Sequence, residues 1–547
     1  MISPEMKRLA PRIGLAIAIV AFFVVNVGAR HDNYFFYDEY EVILHRYGLE
    51  GILHPTNGHP VIMWLPLYYL MREVFGLGSA LPYELLGMAA MAVAACIVYG
   101  YLRARAGEWV ALIGAVLILF FGAGGDILFW AFQLAFAGSI GAGVAALWAL
   151  DRETPRRDVY AALLLIASVF FLAVGLAFVA AAAVAIVLAS WSRGLRAVVI
   201  RLAKVVGPAV FLYIVWYLAY GHDSPSRLTT DNLINAPNFM LEGIGSSLAF
   251  LVGLAGSPLS TAAVSWGLPL LAALVALAVW RVAAGPPVSS KIWIGIFGAL
   301  VFWFLTAVNK PAGGNPDAGR YCLVGAIFVL MVAAELVRGV RWTYLLAGVA
   351  AVLVATSIVG NLVPVRYGHQ FLGTETRLLR ANLAALDIAG EKTNPKFALT
   401  PEISGSDFEI VVDAGSYFKS KRRFGSAGLD ETELEAAAEP LRASADDVLR
   451  AALPVTLEIL PAPSSTHDCT TLRAGTPSET LSIPHGPIWF RAGAEGAEVA
   501  TRRFADADAA LGAIAAHGTA KLSIPPDRSA VPWQVTLTLG SASACKP

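Results

Sequence analysis

The stretch Asp158-VYAALLLIASVFFLAVGLAFVAAAAVAIVLAS-Trp191 carries no charged residue after its first position. A membrane-spanning helix needs about 20 predominantly apolar residues. The run could form one extended helix, but Gly175 sits where a tight reversal fits, and two spans keep the pattern of flanking charge consistent. Working outward by the same criterion gives about eleven spans in all: 12–29, 81–102, 109–123, 131–150, 158–174, 175–191, 205–220, 264–281, 291–308, 321–337 and 342–362. Composition agrees. The 547 residues are 57% hydrophobic and 15% charged, with mean hydropathy +0.63, whereas an ordinary soluble domain is about a quarter charged. The net charge of zero and the lack of any long basic cluster argue against a nucleic-acid partner.

Lysine and arginine set the orientation, because they collect on the cytoplasmic side. With the N-terminus inside, the cytoplasmic loops hold Lys7, Arg8 and Arg12; Arg103 and Arg105; Arg152, Arg156 and Arg157; Arg193, Arg196, Arg201 and Lys204; Arg281 and Lys291; and Arg338 and Arg341. An odd number of spans then puts everything after 363 outside. The first apolar segment also resembles a signal peptide ending at Val27-Gly-Ala29, but it is long for a cleaved leader, whose apolar core runs about 7–15 residues. The expectation is a polytopic α-helical membrane protein in a bacterial cytoplasmic membrane, with a transmembrane domain over 1–362 and an exterior soluble domain over 363–547.

The exterior domain has a helical apolar period at 374–388, a helix over 430–452 with Asp430 and Glu433 placed as a capping box, and short β-like runs at Val455–Leu460, Ile488–Arg491, Val499–Phe504, Ala520–Ile524 and Trp533–Leu539. This reads as an α+β unit built on a β-sandwich. Cys96 and Cys322 fall in apolar spans. Cys469 and Cys545 fall outside, where a disulfide can persist. Trp489, Phe490 and Trp533 lie on the strands and either stack on sugar rings or fill the core.

Three exterior segments precede this domain. Residues 60–75 are apolar and rich in Trp and Tyr, suiting a helix in the membrane interface. Residues 122–131 are Gly-rich and carry Asp126. Residues 221–263 are polar and then apolar from Phe239, which reads as a re-entrant or interfacial helix instead of a full span.

Just beyond the first span, Tyr34-Phe-Phe-Tyr-Asp-Glu-Tyr-Glu41 brings the acids Asp38 and Glu39 among aromatics that would hold them at headgroup level. An ionisable side chain near a bilayer is costly and is a functional candidate by default. An acidic pair opening the first exterior loop, an interfacial helix in that loop, about eleven spans and a C-terminal exterior domain together resemble the GT-C fold membrane glycosyltransferases, among them actinobacterial arabinosyl- and mannosyltransferases. The resemblance implies a polyprenyl-phosphate sugar as donor and a cell-envelope glycan, glycolipid or protein as acceptor. It also implies inverting transfer at the exterior face, with Asp38 as general base, Glu39 orienting it, binding acceptor hydroxyls or itself serving as the base, and Tyr37 and Tyr40 near the bound sugars. A carboxylate suits removal of the acceptor's hydroxyl proton.

The leaving phosphate calls for positive charge. Arg320, at the mouth of a span beside Tyr321, is the leading candidate, with snorkelling beside Tyr321 as the competing reading. Lys310 and His59 are further candidates for the phosphate, whereas His54 reads as an ordinary loop residue. Asp126 could join Asp38 or Glu39 around magnesium or manganese, or simply cap the next helix. Arg422 and Arg423 form the basic cluster of the exterior domain. A transporter or flippase would place ionisable groups at mid-membrane, and these spans are mostly clean of charge. A non-catalytic envelope scaffold would have no need of the acidic pair.

Overall fold

A computed structural model describes residues 4–30, 32–124, 130–224, 227–254, 262–285, 287–311, 313–406, 412–461, 467–475, 479–483 and 485–546. They divide into two compact units. The first comprises 1–33, 46–71 and 80–372, and the second 34–45, 72–79 and 373–547.

The first unit is helical. Its helices are α1 (Pro4–Ala29), α2 (Leu81–Ala106), α3 (Glu108–Leu119), α4 (Leu134–Ala149), α5 (Pro155–Phe171), α6 (Gly175–Ser190), α7 (Leu195–Val205), α8 (Gly207–Ala219), α9 (Thr230–Leu251), α10 (Ala262–Ala284), α11 (Ile292–Val308), α12 (Gly319–Val337) and the start of α13 (Tyr344–Ala389). Every apolar segment expected to span is helical, but among the described residues only six helices are long and apolar enough to cross a membrane. The count rises to seven if α7 and α8, bent by 48° at Val206, are one span. The long run at 158–191 does break into two helices. The turn is so tight that a Cβ on Gly175 would lie 2.4 Å from the backbone of Ser168, a contact only glycine permits.

Charged helix ends gather on one face of this unit. Arg105 at the end of α2 makes two 2.9 Å bonds to Asp151, beyond α4. It also lies 3.3 Å from Glu335 near the end of α12. Lys291, before α11, reaches Asp151 at 2.8 Å, and Arg338 reaches Glu335 at 3.6 Å. Arg201 pairs with Asp158, Arg12 with Glu108 and Arg193 with Glu153, while Arg281 donates to the carbonyls of Leu336 and Arg338. All of these basic residues are among those assigned above to the cytoplasmic loops. The opposite face carries the 46–64 loop, residues 122–124, the α5–α6 turn and the 309–318 loop.

Helix α9 runs along that opposite face. It starts at Thr230, well before the expected Phe239, because Thr229 caps it by accepting from the Asn232 amide. At one end the Asn232 amide group donates to the Lys310 carbonyl just past α11. At the other, the Leu251 and Phe250 carbonyls accept from Ser357 and Asn361, and Asn361 also accepts from Ala123. Both ends therefore meet the same face. Its middle crosses α10 at Gly245 and Gly267, where a Cβ on either would sit within 2.7 Å of the other's backbone.

The second unit holds the rest of α13, then α14 (Ala414–Phe424), α15 (Glu431–Glu435), α16 (Glu439–Ala452) and seven strands. The expected 430–452 helix is interrupted. The capping box at Asp430 and Glu433 forms in both directions, but Pro440 in the first turn of α16 lacks an N–H and would clash with the preceding turn of a continuous helix. The strands are β1 (Thr456–Leu460), β2 (His467–Arg473), β3 (Thr480–Ile483), β4 (Gly486–Arg502), β5 (Ala509–Ile514), β6 (Thr519–Ile524) and β7 (Trp533–Lys546).

They form one antiparallel sheet in the order β1-β6-β4-β7-β2, with β3 also on β7 and β5 also on β4, in place of the two packed sheets of a sandwich. The reason lies in β4 and β7, which run through both halves. The first half of β4 pairs with β6 and its second half with β5. Cys469 of β2 lies opposite Cys545 of β7, and the two form a disulfide. Phe490 and Trp533 are fully buried core, whereas Trp489 is half-buried with Lys521 5.9 Å from its ring.

Arg105 and Glu335 are both almost wholly enclosed. Removing one partner of a buried pair leaves an uncompensated charge, at a cost of about 3–5 kcal/mol. Arg105→Met is expected to lower the thermal unfolding midpoint of the detergent-solubilised protein far more than Arg12→Met, whose pair with Glu108 is exposed.

Candidate functional site

In the first unit the site is built on the 46–64 loop. Arg46 organises its start by donating to the carbonyls of Gly51, His54 and Pro55. Trp216 near the end of α8 donates to Leu53 at 2.8 Å. Thr56 and His59 then exchange both backbone hydrogen bonds, 3.0 and 2.9 Å, around Asn57 and Gly58. Both central residues have positive φ, 51° and 79°, as a type I′ turn requires and Asn-Gly favours. This turn fixes the backbone at His59. Nδ1 of His59 is enclosed and has no hydrogen-bond partner among the described residues.

Two arginines act electrostatically on that ring, Arg227 and Arg320. Arg320 is the second residue of α12, whose start is pressed against the 122–124 turn. A Cβ on Gly319 would lie 1.7 Å from the Ala123 carbonyl, so glycine sets how closely Arg320 is brought in. Its guanidinium also lies 5.0 Å from the Tyr321 ring, and that ring packs 6.4 Å from Phe136. Arg227 precedes α9. Asn232 donates to the carbonyls of both Arg227 and Lys310, which draws the 227–229 and 309–311 backbones together. The Lys310 ammonium stands 5.8 Å from the Phe239 ring. The structure thus brings the expected cations Arg320 and Lys310 to the same face as His59. It adds Arg227, which sequence reasoning missed because it lies in a polar loop with no neighbouring signal.

Burial, and then the positive charge of Arg227 and Arg320, lowers the His59 pKa to about 4. The ring is therefore neutral near pH 7. Asp317, in the loop before α12, is pushed up mainly by burial and further by Glu242. Buried His369, also unanticipated, meets Asn33 at 2.7 Å through Nδ1. The first unit offers a face rich in cations.

No family model matches the chain, and no curated protein matches it. The reading of the site rests on its residues.

Asp38 and Glu39 belong to the second unit. The aromatics around them are core residues there: Phe35 and Tyr40 are fully enclosed and Tyr34 and Phe36 nearly so, instead of standing at a headgroup surface. Tyr40 packs 6.5 Å from Phe35, so its ring is not presented to a ligand, and Tyr37 is half-buried. Burial, followed by the neighbouring Tyr34, Tyr417 and Glu39, pushes the Tyr40 hydroxyl well up, against the opposing Arg380. The acids themselves differ. Glu39 is 2% exposed and accepts from the Phe36 amide at 2.9 Å, closing the turn that Tyr37 enters at φ 47°. Asp38 is only half-buried. Of the pair, Glu39 holds the turn and Asp38 is the more accessible carboxylate.

Among the described residues no three of His, Cys, Asp and Glu gather closely enough to hold a metal ion. Asp126, considered with Asp38 or Glu39 for magnesium or manganese, lies outside the described residues. In the second unit the basic cluster is ion-paired, Arg422 with Glu391 and Arg423 with Glu73.

Glu39→Ala leaves the Phe36 amide buried without its acceptor, a loss of about 1–3 kcal/mol that thermal unfolding will register. His59 gives a pH dependence of known sign. Its folded pKa is below the ordinary value of about 6.5, so the unfolded chain binds more protons between that value and about 4, and stability falls as pH drops through this window. His59→Asn is expected to flatten the slope of melting temperature against pH between about 6.5 and 5.

Proposed function

We propose that the chain is a multi-pass membrane glycosyltransferase of the GT-C type, moving a sugar from a polyprenyl-phosphate donor to a cell-envelope glycan, glycolipid or protein acceptor. The observation that carries this reading is the convergence of Arg227, Arg320 and Lys310 on the face that bears the neutral His59, opposite the face where the helix-end ion pairs gather. Arginine binds phosphate oxygens in bidentate fashion. A lipid-borne phosphate at the mouth of α12 would meet these cations without leaving its chain's membrane level.

In the proposed reaction the acceptor hydroxyl oxygen attacks the anomeric carbon and inverts it. The new C–O bond forms as the bond from carbon to the phosphate oxygen breaks, and the electron pair leaves with polyprenyl phosphate. The general base proposed for the hydroxyl proton is Asp38 of the second unit, on its accessibility and on the resemblance to the acidic pair of GT-C enzymes. Arg320 and Arg227 stabilise the charge that grows on the departing phosphate, the kind of interaction that contributes most when it is already in place. Glu39 keeps the turn that presents Asp38. The reaction needs no second carboxylate as nucleophile, because inversion is a single displacement.

The proposed setting is the bacterial cytoplasmic membrane. The N-terminus and the helix-end ion pairs face the cytoplasm, and the chain after 363 is outside, where the Cys469–Cys545 disulfide is at home.

The test is sugar transfer by purified protein from a polyprenyl-phosphate sugar to envelope acceptors. Asp38→Asn is expected to lower turnover by about 10²–10⁴-fold while the unfolding midpoint moves little. Arg320→Gln is expected to lower turnover and weaken binding of the donor. Wild-type turnover retained by Asp38→Asn would remove the base from the mechanism. Movement of lipid between leaflets without a glycosidic bond would make the protein a flippase.

A further inference from the structure

We propose that the anion bound beside His59 enters together with a proton, which His59 takes up on Nδ1 and donates to an anion oxygen. The inference rests on the phosphate-site reading above and adds a coupled protonation to it.

Three observations meet at this residue. The type I′ turn fixes, through two backbone hydrogen bonds, the main chain from which the imidazole projects. Nδ1 is enclosed with no partner among the described residues, which leaves one ring nitrogen able to become a donor. The charges that act on the ring are Arg227, from the segment before α9, and Arg320, from the start of α12. Among the described residues the other charged groups and histidines on the elements around it are Arg46, Glu50 and His54 of its own loop, His222 beyond α8, Asp231 and Glu242 of α9, and Lys310 and Asp317 before α12. None of these carboxylates offsets the two arginines at the ring.

With the site empty, a proton on His59 would stand beside two guanidinium groups in a partly desolvated place, and the ring stays neutral. A bound phosphodiester, with its one negative charge, lowers the local positive charge without reversing it. It shields both guanidinium groups and offers an oxygen to Nδ1, and each effect favours the charged imidazolium. Binding must then draw a proton from solution, and by linkage affinity must rise as pH falls. Proton balance is complete: one proton leaves water, one N–H forms on Nδ1, and the site's net positive charge rises by that one unit, held by the new N–H to phosphate oxygen bond. In the transfer reaction the same proton would remain on His59 beside the leaving phosphate.

The experiment uses the full chain in nanodiscs and titrates it calorimetrically with a prenyl methyl phosphodiester, whose headgroup does not itself titrate over the range used. Dimethyl phosphate is run in parallel to separate a lipid-borne phosphate from a free one. Each titration is run in two buffers of different ionisation heat, which yields the number of protons taken up. The expected result with the prenyl diester is uptake approaching one proton in the wild type and an affinity that rises by up to about tenfold per pH unit on acidification. Uptake is expected to be absent in His59→Asn, whose binding becomes independent of pH. Uptake with dimethyl phosphate as well also supports the proposal and shows that the prenyl chain is dispensable for it. Binding without uptake in the wild type overturns the proposal while leaving the phosphate site standing. Uptake of equal size in His59→Asn overturns it too. No binding of either diester by folded protein removes the phosphate site and the proposal together.

Discussion

The enclosed ion network around Arg105 is the constraint from which the arrangement of the first unit follows. One guanidinium satisfies Asp151 and Glu335, Lys291 joins at Asp151 and Arg338 at Glu335. Charges this poorly solvated are tolerated only when all partners arrive together. The ends of α2, α4 and α12 and the start of α11 must therefore meet at one level. Antiparallel neighbours then deliver their other ends to the opposite face, and that is where the 46–64 and 309–318 loops and the start of α12 are found. The site's cations are gathered because the far ends of their helices are tied.

The site also depends on close backbone approach. Gly319 against Ala123 lets α12 begin hard against the 122–124 turn, and Asn232 joins the carbonyls of Arg227 and Lys310 through a single amide group. Neither device contributes a charge. Both determine how near the charges come, and in a partly desolvated place Coulombic effects change steeply with distance and surroundings.

Much of the helical architecture is legible in the chain because apolar runs of membrane length and one-sided basic residues are first-order signals, and Gly175 marks a real reversal. The sheet is less so. Strands β2, β3 and β5 are polar, short or alanine-rich and carry little β propensity. The small residues Ala492 to Ala497 read as a turn although β4 continues through them. The break at Pro440 was hidden by the helix-favouring residues on either side. At the site, the turn of Asn57 and Gly58 and the cations Arg320 and Lys310 are visible as types in sequence. Arg227 and His369 are not, because what distinguishes them is the company that folding supplies. The aromatics around Asp38 illustrate the converse: their types suggested a membrane surface, and packing makes them core.

Both ends of helix α9 meet the same face, although at about 1.5 Å per residue it is long enough to reach across a bilayer; in the membrane setting proposed above it would leave the parity of crossings unchanged. In that setting its polar start, with Asp231, Asn232 and Asn235, would not have to traverse hydrocarbon. The helix is laid into the bundle from one side instead of being threaded through it. A change in the polarity of α9 alone would then leave the orientation of the other helices to their own flanking charge.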